Sequence, residues 1–145
     1  MKSGYLIRAE EDHGRFTDLY RASQLEISDD WVRENGACCS FAARDGARLL
    51  GAATVSWRFG RYVLDYIAVE PGLRGSGLGR KLTEACLQWC REQGAKEVYL
   101  AARTPAFFRA IGGFESGGTV LLQECLSCPD YGKDCSPVEM VLKTV

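Results

Sequence analysis

The sequence predicts a mixed α/β fold: a mostly antiparallel central sheet with a parallel strand–helix–strand core, flanked by about four helices. Three observations carry this. Apolar residues recur with a period of two in some stretches of the 145-residue chain and with a helical period in others. Only residues 62–101, a strand, a helix and a second strand in succession, require a parallel crossover. The remaining strand neighbours can be joined by hairpins. No repeat, low-complexity tract or Pro/Ser-rich linker interrupts the chain, so residues 1–145 read as one domain.

The elements follow in order. Tyr5-Leu6-Ile7-Arg8 is a short apolar strand. Asp12 suits the N-cap of a helix carrying Phe16, Leu19, Tyr20 and Ser23 on one side. A second short helix starts near Asp29-Asp30, includes Trp31-Val32 and stops at Gly36. Cys39, Phe41 and Ala43 then alternate with Cys38, Ser40 and Ala42, as in a strand. Asp45-Gly46 signals a hairpin whose second strand runs over 48–57. Phe59-Gly60-Arg61 turns the chain again. Residues 62–69 are the most strand-like segment, rich in β-branched and aromatic side chains, and Glu70-Pro71-Gly72 ends it.

Around 79–93 the period becomes helical. Leu78, Leu82, Ala85, Cys86, Trp89 and Cys90 share one face, while Arg80, Lys81, Glu84, Gln88, Arg91 and Glu92 fall on the other. Gly94 supplies the stop. A strand over 97–101 follows, then a helix opened by Pro105 and ended by Gly112-Gly113. Strands at 119–123 and 138–143 complete the chain.

Composition narrows the function classes. Hydrophobic residues make up 46% and charged residues 26%, which is ordinary globular usage and not that of a disordered chain. Lys and Arg total 18 against 19 Asp and Glu, a net charge of −1, so the basic excess of a nucleic-acid binder is missing. No apolar run is long enough to span a bilayer, and no apolar h-region follows the N-terminus. The expectation is a cytoplasmic protein without nucleic-acid or membrane partners, either monomer or homodimer. The seven cysteines then read as buried thiols, metal ligands or redox groups sooner than as disulfides.

The most informative segment joins the 62–69 strand to the following helix: Arg74-Gly75-Ser76-Gly77-Leu78-Gly79. A glycine-rich turn feeding a helix N-terminus presents unpaired N–H groups and the positive end of the helix dipole, which together make an anion site. Glycines let the backbone approach phosphate oxygens with no Cβ in the way. The Walker A pattern fails because Gly79 is followed by Arg80-Lys81. The dinucleotide fingerprint fails because its third glycine falls on Arg80 or Leu82. The pattern that fits is [Arg/Gln]-x-x-Gly-x-[Gly/Ala]. With the preceding Ile67-Ala68-Val69-Glu70-Pro71, it resembles the acetyl-CoA motif of the GNAT superfamily of N-acetyltransferases. Leu50-Gly51-Ala52 and the run from Phe107-Phe108 to Gly113-Phe114 resemble further landmarks of that family, so the resemblance covers most of the chain.

The resemblance implies a GNAT-like fold and transfer of an acetyl group from acetyl-CoA to a primary amine of a small molecule, such as an amino acid. Backbone amides of Arg74, Gly75, Ser76, Gly77, Leu78 and Gly79 would hold the CoA pyrophosphate. The Ile67-Ala68-Val69 backbone would pair with the pantetheine arm like an added strand, and Phe107 and Phe108 would pack on that arm or in the core. The thioester would lie in a splayed gap between the 62–69 and 97–101 strands. Asp65, the sole acidic residue within the 62–69 strand, is the candidate base; alternation places it on one face with Val63 and Ile67. Its other reading is a charge partner for a nearby arginine. The family's usual acid is a tyrosine in the Phe-Tyr pair, and here that pair is Phe107-Phe108. Tyr99 and Tyr131 are the remaining candidates.

Cys125, Cys128 and Cys135 form a compact three-cysteine segment that offers ligands for zinc or an iron–sulfur cluster, with Cys38 or Cys39 as a fourth; the other reading is structural or redox-sensitive thiols. This segment resembles a tail of some small bacterial GNAT proteins. Cys86 and Cys90 lie on the apolar helix face and are expected in the core. His13, the single histidine, is expected to be exposed at the start of its helix. The rival function is a non-catalytic acyl-CoA-binding module whose cysteine segment senses metal or redox state.

Overall fold

The computed structural model describes residues 5–23, 27–102, 105–111, 114–116 and 138–143. Seven strands form one sheet: β1 (Leu6–Glu10), β2 (Ala37–Asp45), β3 (Arg48–Arg58), β4 (Arg61–Val69), β5 (Glu97–Ala102), β6 (Phe114–Ser116) and β7 (Val138–Lys143). Their order across the sheet is β1-β2-β3-β4-β5-β7-β6, and β4/β5 is the parallel pair. The described helices are α1 (Thr17–Ala22), α2 (Trp31–Asn35), α3 (Leu78–Glu92) and α4 (Pro105–Ile111). The mixed, mostly antiparallel sheet read from the sequence is therefore present.

The two sheet faces bury different sets. On one, α3 presents Leu78, Leu82, Cys86, Leu87 and Cys90 to Leu50, Ala53, Val55, Leu64, Val98 and Leu100. On the other, Phe16, Tyr20 and Trp31 of the N-terminal helical region pack on Ala42, Ala52 and Ala68. Small residues on β2–β4 leave room for those rings. Tyr20, Trp31 and Tyr66 meet pairwise with centroids 5.1–5.7 Å apart. The buried stripe of α3 includes Thr83 and Leu87, while Ala85 and Trp89, expected on it, are half-buried.

Several local expectations are revised. Asp12 makes no capping bond; it pairs with Arg15, and a 3-10 turn over His13–Phe16 precedes α1. His13 is half-buried, not exposed, with Nδ1 2.7 Å from Ser40 Oγ. β6, only three residues long, was not read from the sequence. The strand expected at 119–123 lies outside the described residues. Gly36, with φ +68°, ends α2 as expected.

Two features of β4 shape the site. β4 and β5 pair only at Tyr62/Val98 and Val63/Tyr99, so they splay apart toward their C-terminal ends. β4 also carries a bulge: Leu64 opposes Val55 and Tyr66 opposes Thr54, leaving Asp65 as the extra residue. The bulge breaks the expected alternation. Ile67 lands on the α3 face with Leu64, opposite Tyr66 and Ala68, instead of sharing a face with Val63 and Asp65.

Candidate functional site

The glycine loop begins where β4 ends. Glu70 N–H still donates to Leu50, then Pro71–Leu73 makes a 3-10 turn. Gly75 and Gly77 take φ of +82° and +88°, which L side chains rarely adopt. These reversals aim the start of α3, a 15-residue helix, at the loop. Three of the six amides expected to face a ligand are engaged within the loop, two of them by backbone carbonyls: Arg74 N–H donates to Pro71 at 3.4 Å and Ser76 N–H to Leu73 at 3.2 Å. Leu78 N–H makes a long 3.4 Å contact with Ser76 Oγ. The N–H groups of Gly75, Gly77, Gly79 and Arg80 meet no acceptor among the described residues. A Cβ at Gly75 or Gly77 would meet nothing within 4 Å, so the hollow above them is open. Free amides at a helix N-terminus under an open hollow suit a phosphate-bearing anion.

Phe107 closes one side. Its ring carbon lies 3.3 Å from where a Cβ on Gly79 would stand, and Val69 Cγ2 lies 3.7 Å from the same point. Phe107 is partly exposed there, whereas Phe108 is buried against Phe107 and Phe114 in the core. Gly51 is equally constrained, since a Cβ would come within 3.0 Å of Ala68 O and 3.1 Å of Leu82. The landmark glycines thus let β3, β4 and α3 approach closely.

The groove leads from loop to gap. The Glu70–Leu50 bond makes that pair a hydrogen-bonded one, so Ala68/Ala52 and Tyr66/Thr54 are the next such pairs along the ladder. Ile67 and Val69 alternate with these, and their backbone groups therefore point away from β3, toward the side where β5 has splayed away. An extended ligand laid in the gap finds the Ile67 and Val69 backbone donors and acceptors, which have no partner among the described residues.

Asp65 sits at the bulge beside this groove. Its Oδ1 accepts from Arg58 Nη1 at 2.7 Å, and the two side chains are only 7% and 14% exposed. Tyr99 lies at the last paired position before the strands part. Its hydroxyl donates to Glu97 at 2.8 Å, and the Arg61 guanidinium covers its ring at 4.3 Å. The bond to Glu97, then burial, raises its pKa. Tyr99 pairs with Val63, four residues before Ile67, which puts it about 13 Å from the groove's middle, at the closed end of the gap.

Sequence reading missed Arg58, which the β3–β4 hairpin returns to Asp65. It also missed Glu139, 2% exposed on β7 and adding to the field on Tyr99. The alternation of β7 buries Met140 and Leu142 and made Glu139 look solvent-facing; a carboxylate in so apolar a strand was the available signal. Cys125, Cys128, Cys135 and Tyr131 lie outside the described residues, so the zinc ligand set does too. Among the described residues no group of three or more His, Cys, Asp or Glu side chains is arranged to hold a metal. Cys38 donates to Val55 O at 3.3 Å and Cys39 is buried. Cys86 and Cys90 are buried in the core, as expected. No described helix is long and apolar enough to cross a membrane.

The sequence profile of the acetyltransferase (GNAT) family matches residues 6–116. Among solved structures, an acetyltransferase of that family from Elizabethkingia anophelis with acetyl-CoA bound superposes with a TM-score of 0.74 at 13% identity, covering 98% of this chain and 99% of that one. An acetyltransferase from Bacillus subtilis in complex with CoA gives 0.73 at 19% identity, covering 97% and 99%. N-acetylglutamate synthase from Neisseria gonorrhoeae, complexed with coenzyme A and N-acetyl-glutamate, gives 0.70 at 17% identity. This chain is 99% covered in that match but spans only 36% of the synthase. At these identities the likeness is one of fold.

Proposed function

The chain belongs to the acetyltransferase (GNAT) family, and from that membership we propose that it transfers the acetyl group of acetyl-CoA to a primary amine of a small molecule by direct attack. One observation carries the reading: the backbone N–H groups of Gly75, Gly77, Gly79 and Arg80 meet no acceptor among the described residues, and the space beside Gly75 and Gly77 is open, in the loop that follows the splayed end of β4. That hollow fits a pyrophosphate, because no Cβ intrudes at Gly75 or Gly77 and the amides lie at the N-terminus of α3.

When bound, acetyl-CoA supplies an acetyl thioester. Gly75, Gly77, Gly79 and Arg80 hold the diphosphate through their backbone amides. Ile67 and Val69 pair with the pantetheine arm, and Phe107 walls the groove beside Gly79. An N–H of Ile67 or Val69, pointing away from β3, would be available to stabilise negative charge developing on the thioester oxygen. Asp65, at the bulge, takes a proton from the incoming ammonium directly or through water, leaving the neutral amine to attack, with Arg58 fixing the orientation of the carboxylate. Most of the rate comes from positioning two reactants in one gap. We assign Tyr99 no proton-transfer step: its proton is held by Glu97, and a thiolate is a fair leaving group without an acid.

The test is acetyl-CoA binding by calorimetry followed by CoA release against a panel of primary amines, amino acids included. Micromolar binding with turnover on at least one amine supports the reading. No binding overturns the loop assignment, and binding without turnover on any amine favours an acyl-CoA-binding module.

A further inference from the structure

Three buried hydroxyls form an unbroken chain on the α1 side of the sheet. Tyr20 OH lies 2.8 Å from Thr54 Oγ1, Thr54 Oγ1 2.8 Å from Ser40 Oγ, and Ser40 Oγ 2.7 Å from His13 Nδ1. Tyr20, Thr54 and Ser40 have no exposed surface, and His13 closes the chain from the 3-10 turn. Each hydroxyl carries one proton. With His13 neutral and its proton on Nε2, Nδ1 accepts. Ser40 then donates to His13, Thr54 to Ser40 and Tyr20 to Thr54. Three protons fill three bonds, all directed toward the imidazole. With His13 protonated, Nδ1–H becomes a donor as well. Four protons then compete for three bonds, and one buried hydroxyl is left without an acceptor among the described residues.

We infer that neutral His13 is a positioning residue, the terminal acceptor of a one-way hydroxyl chain that pins α1 to β2 and β3. The pinned ring sets its neighbours. Tyr20 stacks on Tyr66 with centroids 5.1 Å apart, and the Tyr66 hydroxyl accepts from Asn35 of α2 at 2.9 Å. Tyr66 directly follows Asp65 in the bulge. The latch thereby holds α1 and α2 against the part of β4 that carries the proposed base. That this wall serves the acceptor amine rests on the acetyl-transfer reading; the latch itself does not.

The charges around His13 are Glu11 and Asp12 on its own stretch, Arg15 paired with Asp12 at 3.2 Å, and across β1 and β2 the Glu10–Arg44 pair at 2.6 Å. Burial lowers the His13 pKa, and Asp12 and Glu11 partly restore it. The sign follows. A base whose folded pKa is depressed stabilises the fold fully above its unfolded value, about 6.5, and loses that contribution as pH falls toward the folded value. No other histidine occurs in the chain, so no other imidazole titrates in that window.

Urea unfolding of the full chain at pH 7.5 and 5.5 tests the latch, comparing wild type with His13→Gln. The glutamine carbonyl accepts from Ser40 but does not titrate. The folded-to-unfolded ratio of wild type should fall by up to about tenfold more than that of the variant, the cost of one stranded hydroxyl. Equal falls overturn the inference. Should the variant not fold, nitrogen NMR of wild-type His13 decides: the Nε2–H tautomer at pH 7.5 supports the latch, and the Nδ1–H tautomer overturns it. Neither measurement reads coenzyme binding or turnover, so failure of the latch and failure of the catalytic reading are distinguishable.

Discussion

Arg58 and Asp65 form an ion pair across the β3–β4 hairpin, at 2.7 Å and almost out of solvent. Phe59 and Gly60 reverse the chain between the two strands, and the β4 bulge turns Asp65 to meet the returning arginine. A pair this buried contributes little net stability over an apolar replacement, but removing one member strands the other. Arg58→Ala should therefore cost about 3 kcal/mol of folding stability. Arg58→Ala combined with Asp65→Ala should cost clearly less than the sum of the single changes. Urea denaturation midpoints of the three variants check this; strict additivity would count against coupling.

The contact between Phe107 and Gly79 links α4 to the loop. Gly79 is helical, so a Cβ there is strained only by what it touches, the Phe107 ring at 3.3 Å. Gly79→Ala should displace that ring and weaken acetyl-CoA binding about tenfold, and Phe107→Ala in the same chain should recover part of the loss. Gly77→Ala meets no neighbour but carries a φ of +88°, so its cost, about 1 kcal/mol, should appear in folding stability. Gly77→Asp should abolish binding because a carboxylate would enter the open space assigned to the diphosphate, and Gly79→Asp because a carboxylate would be driven against Phe107 at the groove wall. Calorimetric titrations read the affinities, and an undiminished affinity for both aspartate variants would remove the loop as the coenzyme site.

What the sequence disclosed was what neighbours in sequence determine. The loop was legible because its glycines and helix start are contiguous, and the 62–69 strand because its residues are β-branched or aromatic. What it hid were relations between strands. The bulge at Asp65 exists only in the pairing of β4 with β3, so alternation put Ile67 on the wrong face. Arg58 became visible as the partner of Asp65 only once the hairpin register was known. Thr83 is buried because its hydroxyl donates to Gly79 O at 2.9 Å, a self-satisfied polar group that hydropathy reads as exposed. His13 turned inward because a 3-10 turn replaced the expected first helical turn and aimed its ring at Ser40.

The described cysteines should be poor nucleophiles. Burial pushes the Cys39 and Cys90 thiols up to about 12, and it raises Cys86 well above the ordinary thiol value. At pH 8, a thiol with a pKa of 12 is about one part in ten thousand thiolate. Cys38 is exposed, yet its thiol is also shifted upward by burial and then by Asp65, and it donates to Val55 O. Iodoacetamide treatment of the native protein at pH 8 should leave Cys39, Cys86 and Cys90 unmodified and label Cys38 slowly. Peptide mapping by mass spectrometry would show this, and rapid labelling of Cys86 would contradict the packing of α3 on β2.

Asp65 carries the catalytic proposal to its sharpest test. An amine acceptor arrives mostly protonated near neutral pH, and only the neutral form attacks the thioester. A carboxylate in the gap helps most where the amine is most protonated. Asp65→Asn keeps the size of the side chain and an oxygen for Arg58, but it no longer takes up a proton. Turnover at saturating acetyl-CoA should fall at least about tenfold near pH 7 and less as pH rises toward the pKa of the amine. Affinity for acetyl-CoA should remain within about twofold of wild type, because the Gly75–Arg80 amides do not touch Asp65. The pH–rate profile with the best amine from the panel separates the outcomes. A profile parallel to wild type, merely scaled down, would make Asp65 a structural partner of Arg58; a convergence at high pH is the signature of the missing base.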